Sequence, residues 1–470
     1  MSREQFISYV QESDARTDPN LDLYRVETQA MKRLATTADR AFLAVGLKGV
    51  GKTACFKSLS AGRDVDFVQA ISAGTQEPLS IEGSRPTLQF VEEIRSELVM
   101  QALNTLVEKL KIDKKLAKKV PDDLHQEARV LVTNLWKRLK DAFGNLGGIT
   151  ILGCGISFRN RQQQDTGLRL VPRDEYTRAF SIVERLSKSI DFRIVVDDPE
   201  SVFAADEGLN ENLVAALAIA AHELQTRLTN FKCIVLMKPN VLRALRRVDE
   251  FVNLPPNGRV RLSWTDEELK DVIRLRAKAA QIDLATAFKA DPEPALDAIV
   301  KDCRSGPRDA LRRLELHFDA HLDEPVTPET LEKTIDSYSE ACFEQMYGAY
   351  ERQYRGLSRA AIVLFEGPSA SVPKVNIRNR LDSMIGSSKE ILAFKDESWA
   401  RDATLFADLL VQFGLVAIQT ANGIVLPYHA HYPEEAARSD AVFTLIPGLR
   451  GRANIRAAKT NPAIERRKGR

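Results

Sequence analysis

The chain has 470 residues, of which 44% are hydrophobic and 28% charged, with a formal net charge of +2 at pH 7. That length accommodates two or three domains with their own cores, and the near-neutral charge excludes a nucleic-acid binder announced by bulk composition. Five scattered cysteines (Cys55, Cys154, Cys233, Cys303 and Cys342) form no CxxC pair. This excludes a disulfide framework or cysteine metal site and points to a reducing cytoplasm.

The N-terminus MSREQFISYVQESDARTD lacks the basic and apolar regions of a signal peptide. No apolar run reaches the ~18 residues that span a bilayer, so the expectation is a cytoplasmic protein with no membrane partner. The first predicted strand is the apolar run Ala41 to Val45, suited to a sheet covered on both faces. Gly46, Gly51, Lys52 and Thr53 then fit G-x-x-x-x-G-K-[ST]. A phosphate site needs backbone N–H groups aimed inward, and glycines let the chain curl that closely. It also needs the positive end of a helix, predicted to begin at Thr53. The stretch Gly46, Leu47, Lys48, Gly49, Val50, Gly51, Lys52, Thr53, Ala54 is therefore the expected nucleotide-binding loop. Lys52 would reach the β- and γ-phosphates and act in catalysis, and the Thr53 hydroxyl would sit on Mg²⁺.

Helical spacing follows over about residues 86–146, interrupted at Pro121, and reads as an insertion. Its Lys109, Lys111, Lys114, Lys115, Lys118 and Lys119 read as a solvated face, with an acidic partner or nucleic acid as the other reading. GGITILGCGISF predicts a strand pair or a bent strand.

The run Ile194 to Val196 ends in Asp197 and Asp198. In a parallel sheet nucleotide lies at the carboxyl ends of strands. Asp197 would hold Mg²⁺ through water, and Asp198 would orient or deprotonate the attacking water, with Glu200 as the alternative base. Asp198-Pro199 also reads as a helix start. Cys233 to Met237 predicts another strand, with Lys238 and Asn240 at its end as candidate sensors of a γ-phosphate. In CRSGPRDALRRLELHF a turn starts a helix, Arg308 stands where it could reach phosphate, and Arg312 and Arg313 are expected to face water. The pairs His317/His321 and His429/His431 lack the further ligands a metal site needs; the second is placed on a strand.

Beyond Asp323–Pro328 the predicted elements are one helix over 329–353, three more in LSRAAIVLFEG, VNIRNRLDSMIG and TLFADLLVQFGL, and a hairpin around Asn422-Gly423 with a type I′ signal. Helices followed by such a hairpin resemble a winged-helix domain. The tail RGRANIRAAKTNPAIERRKGR is basic and expected to be disordered. Its cations, Arg450 among them, could track phosphates.

Taken in order, GLKGVGKTA, IVVDDPE, VLMKPNVLRAL and SGPRDALRRL resemble Walker A, Walker B, the sensor-1 strand and sensor 2 of the AAA+/STAND division of P-loop ATPases, most nearly the bacterial STAND-like and KAP-like ATPases. VRLSWTDEELKDVIRLRA resembles the start of their helical lid. Over residues 20–325 the resemblance implies ATP and Mg²⁺ as cofactors and Arg308 and Lys238 as phosphate contacts. Asp197-Asp198 departs from the Asp-Glu of many relatives, Lys238 stands where an arginine is frequent, and Arg246, Arg247, Arg259 and Arg261 are equally eligible as an arginine finger.

The expected fold class is α/β: a parallel-sheet P-loop NTPase core over 1–262 with its helical insertion, a helical lid over 263–325, a mostly helical winged-helix-like domain over 326–449, and a tail over 450–470. The expected function is an ATP-binding, slowly ATP-hydrolysing switch that acts on a protein partner or its own assembly, in defence or signalling by family analogy. The alternatives are a DNA-binding AAA+ ATPase of replication-initiator or transposition-regulator type, contacting DNA through the C-terminal region and tail, and a nucleotide-binding scaffold without useful hydrolysis.

Overall fold

A computed structural model describes residues 3–62, 64–72, 87–143, 151–152, 155–156, 173–199, 211–351, 353–365 and 371–451. Its contacts divide the chain into two compact units. One comprises residues 27–46 and 52–262; the other comprises residues 1–26, 47–51 and 263–470.

The first unit is built on a five-stranded parallel sheet: β1 (Leu43–Val45), β2 (Phe67–Ile71), β3 (Phe192–Asp197), β4 (Phe231–Met237) and β5 (Arg259–Arg261), in the order β2-β3-β4-β1-β5. Every residue of β3 and β4 is buried, as expected of parallel strands covered on both faces. The β-branched run at Ile194–Val196 and the apolar run at Cys233–Met237 supply that burial, and both strands start two residues earlier than their apolar cores.

Two of the buried strand residues are cations. Arg193 on β3 forms a two-pronged pair with Asp64, at 2.9 and 2.7 Å, and donates to the carbonyls of Leu59 and Ala35. Lys232 on β4 donates to the carbonyls of Arg33, Thr36 and Asp39 at 3.3, 2.8 and 2.5 Å, capping the end of helix Gln29–Ala35. Burial lowers the Lys232 pKa to about 8 against the pull of Asp39. Both cations serve carbonyls that no strand or helix satisfies.

The long connection from β2 to β3 is helical, with Thr87–Ile112, Lys114–Ala117, Asp122–Phe143 and Arg173–Leu186, and a short antiparallel pairing of Ile151–Leu152 with Gly155–Ile156. Helix Thr87–Ile112 packs on Glu211–Arg227 and on Asp122–Phe143. Of the lysine cluster, Lys119 pairs with Asp66 and Lys111 with Glu108, and all but Lys109 are exposed.

In the second unit, helix Arg3–Gln11 lies against Asp266–Ala279 and Pro307–Ala320, with Phe6 between the rings of Phe288 and Phe318. Asp266–Ala279 starts with a full capping box, Thr265 and Glu268. The predicted helix over 329–353 is instead two: Pro328–Glu332 and Ile335–Tyr350. The break sits where the Thr334 hydroxyl bonds back to the Leu331 carbonyl and accepts from Arg313.

Helices Leu357–Leu364, Ile377–Ser387 and Ala403–Gln412 fall where expected. A four-stranded antiparallel sheet accompanies them: β6 (Ser371–Pro373), β7 (Val416–Thr420), β8 (Gly423–Val425) and β9 (Val442–Leu445), ordered β8-β7-β9-β6. The β7–β8 hairpin is the predicted one. Its loop residues are Ala421 and Asn422, since Thr420 pairs with Gly423, and neither has the positive φ that a type I′ turn requires.

His429 and His431 are not on a strand. They sit in the turn before helix Tyr432–Ala437, and His429 Nε2 lies 2.8 Å from an Asp266 carboxylate oxygen. Among the described residues no helix is long and apolar enough to cross a membrane.

Candidate functional site

β1 ends at Val45, and the Gly46 N–H donates to the Met237 carbonyl at the end of β4, 3.2 Å away. The chain then turns through residues 47–51 and enters a helix at Lys52, one residue earlier than the motif suggested. Gly49 and Gly51 have φ of +95° and +98°, a region that side chains strain to adopt. A Cβ on Gly49 would also come within 2.6 Å of Ser305 Oγ. The Lys52 ammonium donates to the Gly46 carbonyl at 2.7 Å, so it folds back over the loop. Thr53 and Ala54 occupy the second and third positions of helix Lys52–Ser60.

The acidic pair stands at the same edge of the sheet. Leu236 of β4 pairs with Asp197 of β3 on one side and Ala44 of β1 on the other. Asp197 is therefore level with the residue two before Gly46, two inter-strand spacings away, or ~10 Å. Asp197 is buried. Asp198 has left the strand with φ of +57°, a left-handed conformation that Asp tolerates better than most residues. Its N–H bonds to the Leu236 carbonyl at 3.3 Å, and its carboxylate meets Lys238 Nζ at 3.0 Å. Lys238 and Asn240 flank the start of helix Pro239–Leu245. Glu200 lies outside the described residues. Of the four eligible arginines, Arg246 and Arg247 are exposed, and Arg259 is tied to the carbonyls of Phe251 and Leu254 with its guanidinium over the Phe251 ring.

In the second unit, Leu47–Gly51 meets the turn that opens helix Pro307–Ala320. The Arg308 N–H approaches the Gly49 carbonyl at 3.5 Å, which sets Arg308 beside the loop. Its guanidinium pairs with Asp14 at 3.4 Å. Asp309 gathers that turn by accepting from the N–H groups of Arg304 and Ser305 and from the Ser305 hydroxyl.

Two further residues of this region make bonds that the sequence alone does not announce. Arg304, 1% exposed, donates to the Lys48 carbonyl at 3.1 Å, to Gln345 Oε1 at 3.2 Å and to the Phe413 carbonyl at 3.3 Å. Its burial would favour the neutral form, but the negative charge of nearby Asp309, above all, raises its pKa and keeps it charged. The indole N–H of Trp264 donates to the Val50 carbonyl at 2.9 Å.

Arg313, expected at the surface, is 1% exposed. It bonds Asp302, Thr334 and the Leu331 carbonyl; only Arg312 of the pair keeps an open face, paired with Glu315. Arg450 pairs with Asp302 and Glu332 at 3.2 and 2.6 Å, so it is committed to the fold and is not a tail charge. Residues 452–470 lie outside the described residues.

An oxyanion meeting Gly46–Thr53 would find glycine-turned backbone, one ammonium and a helix start, the elements of a phosphate cradle. Thr53 and Asp197 offer a hydroxyl and a carboxylate, the hard oxygen donors suited to Mg²⁺. No family model matches the chain, and no curated protein matches it. Among solved structures it is similar to the Walker-type ATPase PABY2304 of Pyrococcus abyssi, at 12% identity over 85% of this chain and 92% of that chain, with a TM-score of 0.44.

Proposed function

We propose that the protein is a P-loop ATPase that binds MgATP at Gly46–Thr53 and turns it over slowly, as a switch of STAND-like or KAP-like type acting on a protein partner or on its own assembly. The observation that carries this reading is the joint geometry at one sheet edge. A loop with two left-handed glycines opens a helix at Lys52, and Asp197 is in register at the end of β3.

In this reading the Lys52 ammonium leaves the Gly46 carbonyl for the β- and γ-phosphate oxygens. Thr53 and, through water, Asp197 would hold Mg²⁺, which would neutralise charge on the phosphate oxygens. Asp198 takes the proton of the attacking water. Its carboxylate is engaged by Lys238 at 3.0 Å, a contact that competes with the attacking water for it. Arg308 supplies a second cation beside Gly49.

Helix Ala403–Gln412, which precedes the hairpin, carries Asp408 and no lysine or arginine. It therefore lends no support to duplex recognition by a winged helix, and the protein-partner reading is preferred.

The test is Asp198→Asn. It is expected to keep MgATP binding and to lower multiple-turnover phosphate release by at least a hundredfold, in keeping with ~10²–10⁴-fold for positioned bases. Release at the wild-type rate would remove Asp198 from the reaction and leave Glu200 as the base.

A further inference from the structure

A loop that turns its N–H groups toward a phosphate must turn carbonyls the other way, because the N–H and C=O of one planar peptide point in opposite directions. Those outward carbonyls need partners of their own. In this protein the Lys48 and Val50 carbonyls have side-chain donors that lie 256 and 214 residues further along the chain. The Lys48 carbonyl accepts from Arg304 at 3.1 Å and the Val50 carbonyl from Trp264 at 2.9 Å. Fixing these two peptides aims the N–H groups of Gly49 and Gly51 away from Arg304 and Trp264.

The same two residues also hold the C-terminal segment. Arg304 donates to the Phe413 carbonyl at 3.3 Å, at the end of helix Ala403–Gln412. The Trp264 backbone N–H donates to the Tyr428 carbonyl at 2.9 Å, just beyond β8. Both side chains are buried, so each exchanges few of its bonds for water.

We propose that Arg304 and Trp264 are positioning residues that preshape the phosphate-binding loop and couple its shape to residues 413–428. This rests on the reading of Gly46–Thr53 as a nucleotide site. A phosphate that tightens the loop pulls on the Lys48 and Val50 peptides. The pull reaches Phe413 through the Arg304 guanidinium and Tyr428 through the Trp264 indole and its own backbone N–H.

The experiment uses the full chain with Arg304→Lys and Trp264→Phe, and MgATP as the probe. Lysine keeps the charge but loses the fork that spans three acceptors; phenylalanine keeps an aromatic ring but loses the donor and part of the indole's volume. Each variant is expected to bind MgATP about tenfold more weakly by isothermal titration, a change on the scale of one lost hydrogen bond. MgATP should slow hydrogen exchange in residues 413–428 of the wild type, and each variant should lose at least half of that protection.

A variant with a lowered melting temperature but wild-type affinity has a purely structural residue there, and that result overturns the positioning role. Protection of 413–428 that is equal in all three proteins overturns the coupling. If Arg304→Lys does not fold, Trp264→Phe decides both points. Wild-type protein that fails to bind MgATP overturns the functional reading together with the inference. Binding that is abolished by Lys52→Ala but untouched by these two variants overturns the inference alone.

Discussion

Arg308 shows how much of this site is a matter of competition between single charges. Its backbone N–H lies 3.5 Å from the Gly49 carbonyl, while its guanidinium spends its charge on Asp14 at 3.4 Å, an anion that a phosphate would have to displace. Asp14→Asn removes that competitor. It is expected to raise MgATP affinity several-fold, whereas Arg308→Ala lowers it; titration calorimetry on both variants checks the sign. Equal affinity in Asp14→Asn and wild type would take Arg308 out of the phosphate site.

Residues of this kind divide sharply in how readable they are. Lys52, Thr53 and Asp197 stand in dense local patterns, because phosphate chemistry constrains neighbours in sequence. Arg304 and Trp264 meet backbone carbonyls far away in the chain, and a carbonyl leaves no mark in a sequence. Arg313 misled for a related reason. In Arg312-Arg313 the amphipathic spacing puts one arginine at the surface, but it does not say that the other has Asp302, Thr334 and Leu331 waiting for it.

At the scale of elements, helix Pro307–Ala320 ties the loop-facing turn to the interior of its unit. His317 on this helix is fully buried, with its ring 5.8 Å from those of Phe318 and His321. Burial, then the nearby His321, lowers its pKa from 6.5 to about 4, with Arg313 adding to the shift and Glu324 opposing it. A depressed folded-state pKa means that the neutral ring is favoured on folding. Its contribution to stability is full above about pH 6.5 and is lost as pH falls through about 4.

The shift corresponds to roughly 3 kcal/mol. Denaturant unfolding between pH 7 and pH 4 should show this loss, and His317→Leu should flatten that part of the profile. An unchanged slope in His317→Leu would assign the acid sensitivity elsewhere.

Element boundaries were most legible where burial is continuous, as in β3 and β4. They were least legible in β6 and β9, three and four residues long, whose pairing rests on partners distant in sequence. The His429/His431 turn illustrates the same limit. Alternation suggested a strand, but a bond from the Leu426 N–H to His429 Nδ1 and a carboxylate contact with Asp266 hold a turn.

At the scale of the whole molecule, the chain crosses between its two units within the phosphate-loop motif. Residues 47–51 group with 263–470, while their flanks belong to the parallel-sheet unit. One consequence is that the loop's central backbone and its cationic end, Lys52, answer to different surroundings. The α/β class and the parallel P-loop sheet could be read from the apolar runs and the motif. The regrouping of the loop could not, since it depends on carbonyl bonds and on the fit of Gly49 against Ser305.

The central claim is that Gly46–Thr53 binds MgATP through Lys52, and ligand-dependent thermal unfolding of wild type and Lys52→Ala tests it most directly. A ligand bound only by the folded state adds about 2.7 kcal/mol at a hundredfold excess over Kd. Wild-type protein should therefore melt at progressively higher temperature as MgATP rises, and Lys52→Ala should melt at its ligand-free temperature throughout. Equal stabilisation of the two proteins would contradict the account.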